Sequence, residues 1–212
     1  MTEIIDVFTH SSIRIRSDRG VIYIDPFKMR EEPHDADYVF VTHEHYDHFS
    51  PNDIAKVSRG ETVLVVPESM KDKAEKDTNG RYTVVTVSPG SSRILDNISF
   101  EAVPAYNRLK PFHPRSAGWL GYVFEISGER IYVAGDTDLT VEARQLKCDT
   151  ALVPVGGTYT MNAKQAAELV NAIRPKIAIP THYGSVVGSE SDAEKFAAEV
   201  DPAITVAIIK QY

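Results

Sequence analysis

Apolar residues alternate with polar ones, or run together in short blocks, through most of the first half of this chain. "EIIDVFTH", "SIRIRS" and "GVIYIDPF" follow one another around a turn at Asp18-Arg19-Gly20 and read as short strands. "ADYVFVT" is apolar on both faces, as in a strand buried from both sides. "SPNDIAKVSRG" changes to a helical period, with Ser50 as its cap, Pro51 at its first position and Gly60 as its stop. "TVLVVP" follows as a strand and "ESMKDKAEKDTNG" as an exposed helix. Strands resume at "YTVVTV", "NISFEAVPA", "WLGYVFEIS" and "RIYVAG", and after a short helical segment at "DTALVPV". "NAKQAAELVNAIRP" carries the strongest helical signal. Asn162 and Gln165 are placed as a capping box, Ala166, Leu169, Val170 and Ile173 share one face, and Pro175 ends it. "KIAIPTH", a helix at "SDAEKFAAEV" and a last strand at "AITVAII" complete the chain. The pattern predicts helices laid on the outer faces of sheets.

Four of these apolar strands run into polar, chemically capable residues. "YVFVT" leads to His43, His45, Asp47 and His48, "RIYVAG" to Asp136, "TALVPV" to Gly156-Gly157-Thr158, and "KIAIPT" to His182. Ligands gather beyond the carboxyl ends of strands, and if the four are parallel neighbours their ends converge on one site. Packing does not explain three histidines and an aspartate within six residues, in a chain with seven histidines. Neutral imidazoles with carboxylates suit zinc, iron or manganese. His43 and His45 fit one ion, Asp47 and His48 a second, Asp136 a bridge between them, and His182 the completion of the second site. Two divalent ions about 3.5–4 Å apart would hold a hydroxide between them and generate it at neutral pH.

Composition narrows the function more than the fold. The 212 residues are enough for one domain spanning 1–212. A net charge of −7 argues against a nucleic-acid-binding groove. Cys148 is the single cysteine, and "MTEIIDVFTH" lacks the basic head and apolar run of a signal peptide. No apolar run approaches a membrane span. A cytoplasmic protein with no membrane partner is the expectation.

"HEHYDH" resembles the HxHxDH signature of the metallo-β-lactamase superfamily, with "GDTD" and "IPTHYG" following in the order of its bridging aspartate and last histidine. "FTHSS", "YIDPF" and "LVPVGGTYT" resemble segments of the ascorbate-phosphate lactonase-like branch. The likeness runs from residue 8 to 184. It implies a mixed α/β fold, a four-layer αββα sandwich of the metallo-β-lactamase type, with two divalent metal ions, zinc first and manganese or iron as alternatives. It also implies a hydrolase in which Asp47 and Asp136 are catalytic carboxylates at a metal-bridging hydroxide. One position departs from the pattern. Where the superfamily places a third histidine on the first metal, the strand "ISFEAVPAYN" ends at Asn107, and the nearest histidine is His113. His113 folding back is the favoured reading, with Asn107 or water as the alternatives.

Ligating imidazoles pass their other N–H to a carboxylate or carbonyl, and Asp25 is placed to receive one. His10 either faces substrate or helps orient the site. Between Glu101 and Glu125 the chain has no acidic residue, while Arg108, Lys110 and Arg115 flank His113. This suits substrate binding to a small anionic ester, lactone or phosphodiester, or equally a solvated loop offsetting an acidic surface. Two other readings stay open: a regulatory or structural metal-binding protein without turnover, and an RNA-processing nuclease.

Overall fold

The computed structural model describes residues 4–96 and 98–209, so Glu3 and Asn97, placed at the starts of expected strands, lie outside the described residues. The chain divides into two compact units, one running to Ser88 and the other Pro89–Ile209.

The first unit holds a six-stranded sheet in the order β1(Ile4–Val7), β2(Ile13–Ser17), β3(Gly20–Ile24), β4(Ala36–Phe40), β5(Ser58–Pro67), β6(Thr83–Val87). The first three strands form an antiparallel meander and the rest add in parallel. Helices α1(Pro51–Val57) and α2(Lys71–Asp77) are the crossovers that parallel strands require. Ile54, Val57 and Ala74 from the helices pack with Val39, Val41, Leu64 and Val66. Ser50 caps α1 and Pro51 opens it, as expected, but the helix ends at Val57 and not at Gly60. Ser58 already has extended backbone and starts β5, so the β-branched run of that strand claims the residues before it.

The second unit repeats this plan with seven strands. β7(Ser92–Leu95), β8(Ile98–Pro104), β9(Leu120–Ile126) and β10(Glu129–Val133) are antiparallel neighbours. β11(Thr150–Pro154), β12(Ile177–Thr181) and β13(Thr205–Val206) then add in parallel. β7 has largely exposed residues and no apolar alternation, which is why the sequence pattern missed it. Between β10 and β11 lies α3(Val141–Arg144). α4(Ala163–Ile173) has the full Asn162–Gln165 capping box and buries Ala166, Leu169, Val170 and Ile173. Phe196 and Ala193 of α5(Glu190–Glu199) join the same core. β11 is buried along its whole length. No helix among the described residues is long and apolar enough to cross a membrane.

Three of the four strands expected to be neighbours, β10, β11 and β12, are adjacent and parallel in one sheet. The fourth, β4, belongs to the other sheet. Apolar strands of both sheets look alike in sequence, because both are buried on two faces.

Candidate functional site

In the first unit the site grows from the end of β4. After Phe40 the chain passes Val41, whose amide still bonds Val65, and reaches Thr42. Asp25, just past β3, receives the Thr42 amide at 2.8 Å, the Thr42 hydroxyl at 2.6 Å and His48 Nδ1 at 2.7 Å. Asp25 has left-handed backbone, φ 48°, which turns its carboxylate back beneath the neighbouring strand end. Complete burial pushes its carboxyl pKa up, opposed by the His48 imidazole and the Thr42 donors. The Thr42 hydroxyl, its proton given to Asp25, accepts from His43 Nδ1 at 2.9 Å.

These bonds set two tautomers. His43 and His48 each hold their proton on Nδ1, so each carries its lone pair on Nε2, the form a metal ligand needs. His43 Nε2 faces His45 Nδ1 at 3.0 Å, and the His43 and His48 rings lie 4.0 Å apart. A single helical turn, with the His48 and Phe49 amides bonded to the His45 carbonyl, brings Asp47 and His48 around to the same region. The ligand-capable atoms of His10, Asp47 and His48 lie within 4.8 Å of one another. His10 is fully buried and bonds Asp47 Oδ2 through Nε2 at 3.1 Å. This donor set of imidazole nitrogens and carboxylate oxygens, with lone pairs preset, fits a divalent transition metal.

In the second unit three residues far apart in sequence meet. Asp136 follows β10, and His182 follows β12 with left-handed backbone, φ 58°. Asp136 Oδ2 is 3.1 Å from His182 Nε2 and 3.3 Å from His113 Nε2. All three are nearly or completely buried. His113 therefore does fold back toward the aspartate. Asn107 is its orienting partner: its Oδ1 accepts from the His113 amide and lies 3.1 Å from His113 Nδ1, while its Nδ2 donates to the Tyr159 carbonyl. The Trp119 ring meets His113 edge-on at 5.3 Å. Gly156 explains the glycine pair after β11: a Cβ there would sit 2.3 Å from the His182 carbonyl oxygen.

The cationic loop is less free than its sequence suggests. Lys110 bonds Asp138 Oδ1 at 2.6 Å and the Thr160 carbonyl at 2.5 Å. Arg115 bonds Glu142 at 2.7 Å and lies over the Tyr106 ring. Arg108 uses its amide on Asp138 and extends an exposed side chain. Leu109 and Phe112 of the same loop are exposed, and Phe112 meets Tyr159 edge-on. Asn107, Asp138 and Thr42 were not read as orienting residues from sequence; the signal for Thr42 and Asn107 is only that each directly follows or closes an apolar strand.

The family model of the beta-lactamase superfamily domain matches residues 4–182, across both units. A UPF0173 protein of Pyrococcus furiosus is 37% identical over 192 residues, 86% of this chain and 84% of its own. A UPF0173 metal-dependent hydrolase of Symbiobacterium thermophilum is 32% identical over 205 residues, 90% and 88%. Among solved structures, a candidate metal-dependent hydrolase from Parabacteroides distasonis has a TM-score of 0.81 at 30% identity, covering 98% of this chain and 93% of its own. Igni18, a metallo hydrolase from Ignicoccus hospitalis, has a TM-score of 0.79 at 22% identity, covering 97% and 94%. The strand-end histidines, the paired meander-and-crossover sheets and these relatives agree: the chain belongs to the metallo-β-lactamase superfamily and has its layered fold.

Proposed function

We propose that the protein is a dinuclear metal-dependent hydrolase. The observation that carries this reading is the preset of His43 and His48, whose Nδ1–H groups donate to Thr42 and Asp25, leaving both Nε2 lone pairs for a metal. The residues we assign to metal are His43, His45, Asp47 and His48 in the first unit and His113, Asp136 and His182 in the second. When bound, the two ions would supply an activated water and Lewis acidity toward a carbonyl or phosphoryl oxygen. The chain's own part is positional. Asp25 and Thr42 hold two imidazoles in register, Asn107 holds a third, and Asp136 keeps His113 and His182 on one oxygen.

The substrate class we propose is a small anionic ester, lactone or phosphodiester, in keeping with the lactonase-like resemblance. Lys110 and Arg115 are held by Asp138 and Glu142, so Arg108 is the cation we assign to the substrate anion. Metal analysis of purified protein, together with a panel of ester, lactone and phosphodiester substrates, tests the reading. About two equivalents of zinc, manganese or iron and turnover of at least one panel member are expected. Absence of metal after reconstitution would end it. Arg108→Ala should raise KM for anionic substrates and leave kcat unchanged, because the contact is equal in ground and transition states; a neutral isostere should show no change.

A further inference from the structure

His10 sits where hairpin residues are ordinarily in water. It is at the corner between β1 and β2, closed by the Phe8 amide on the Ser12 carbonyl at 2.8 Å and the Ser12 amide on the Thr9 carbonyl at 3.1 Å. Yet His10, Ser11 and Ser12 are all buried, and His10 has left-handed backbone at φ 65°. A non-glycine residue in that region carries strain that surrounding structure must hold, and such residues cluster at functional sites. Asp25 and His182 share this conformation and belong to the clusters described above, while Lys28, His34, Asn79, Asp96, Ser127 and Arg174 adopt it elsewhere. The His10 ring is fixed by Phe27, edge-on at 6.4 Å, and by His48, edge-on at 6.0 Å. Its Nε2 meets Asp47 Oδ2 at 3.1 Å across 37 residues of sequence.

We propose that His10 is a positioning residue of Asp47: its Nε2–H donates to Oδ2 and helps fix the plane in which that carboxylate is offered to a metal ion. The inference rests on the metal-centre reading. A carboxylate has about four lone-pair directions on two oxygens. Without a fixed donor, Asp47 could rotate and offer either oxygen, and the ion would have to order it. His10 supplies that order in advance. In this arrangement Nε2 serves as a donor to Asp47 and not as a ligand, which is what the double variant below tests. Ligand-bearing residues held by an outer donor commonly lose about 10–100-fold in metal affinity when that donor is removed.

The test is titration of the full-length chain, stripped of metal by chelation, with zinc against a chromophoric chelator. His10→Ala should weaken one of the two binding steps by about 10–100-fold and leave the other in place. His10→Gln, which keeps a donor of similar reach, should regain most of the loss, and the shorter His10→Asn should not. Thermal unfolding of each variant separates misfolding from weakened binding, and the Gln against Asn contrast decides the matter if the Ala variant does not fold. In an Asp47→Ala background the His10→Ala substitution should change affinity by less than about twofold, since the partner it positions is gone. Unchanged zinc affinity in His10→Ala overturns the proposal. So does a full effect that persists without Asp47, which would make His10 a ligand in its own right. A wild-type chain that takes up no zinc overturns the metal-centre reading and this inference together.

Discussion

The two units carry their chemistry in opposite ways. In the first, His43, His45, Asp47 and His48 lie within six residues, and a single buried carboxylate, Asp25, ties the start of the segment to its end through Thr42 and His48. In the second, Asp136 and His182 follow β10 and β12, which flank β11 in parallel, and His113 reaches them from the connection between β8 and β9. The first cluster is contiguous in sequence and tied by hydrogen bonds to the end of β3, whereas the second is assembled from separate strand ends. A local cluster should fail through loss of one bond. A scaffolded cluster should fail through small displacements of backbone.

The largest effect is expected at Asp136, the residue on which the scaffolded cluster turns. Asp136→Ala removes the oxygen shared by His113 and His182, and turnover should fall by about a hundredfold or more, from lost ligation and lost geometry together. Steady-state kinetics with parallel metal analysis reads this; near-normal turnover would mean the two histidines do not act through it.

Asp25→Ala should break the local wiring. It strands the Thr42 amide and hydroxyl and the His48 N–H in the interior, and buried donors left without partners cost about 1–3 kcal/mol each. A stability loss of about 3–5 kcal/mol in denaturant unfolding is expected. A loss below about 1 kcal/mol would show that water or a shifted side chain replaces the carboxylate.

Gly156→Ala probes the scaffold by displacement alone. The added methyl must push away the His182 backbone, since no carbonyl tolerates a carbon at 2.3 Å. A cost of about 1–3 kcal/mol is expected, with weaker zinc binding in titration even though no ligand has changed. If affinity holds while stability falls, register is less exacting in the second unit than this contrast implies.

The smallest effect concerns Asp53, the anchor that holds the 28–29 loop on α1. It accepts from the Lys28 and Met29 amides, Ser50 and Lys56. Burial pulls its pKa up, but Lys56, Ser50 and the Lys28 amide outweigh this and hold it below the usual aspartate value. A carboxyl depressed in the folded state contributes stability that is present above its unfolded pKa, about 3.9, and is lost as pH falls through the lower folded value. Asp53→Asn should therefore cost about 1–2 kcal/mol near neutrality and flatten the acid side of the stability curve below about pH 4. Urea unfolding at several pH values measures both; an unchanged acid limb would remove Asp53 from the account.

What could be read without coordinates follows the same division. The spacing in "HEHYDH", the capping box at Asn162–Gln165 and the cap at Ser50 are local, so residue identity alone determined them. Periodicity found most of the strands, because buried strands must be apolar wherever they sit. Which sheet each strand joins was not in the pattern: β4 and β10 look alike in sequence and lie in different sheets, since pairing depends on crossovers and register. The acid-free stretch around His113 is a feature of the sequence, and in space two of its three cations are paired. Asp138 and Glu142, well outside that window, fold back to hold Lys110 and Arg115, because charge is neutralised through space and not along the chain. Likewise Asn107 and His113 are alternatives for one position along the chain, and only in space does His113 lie beside Asp136 with Asn107 bonded to it. Ligand types and their local order belong to the sequence. Which atoms face one another depends on backbone turns such as the left-handed ones at His10, Asp25 and His182, whose strain only the packed molecule can sustain.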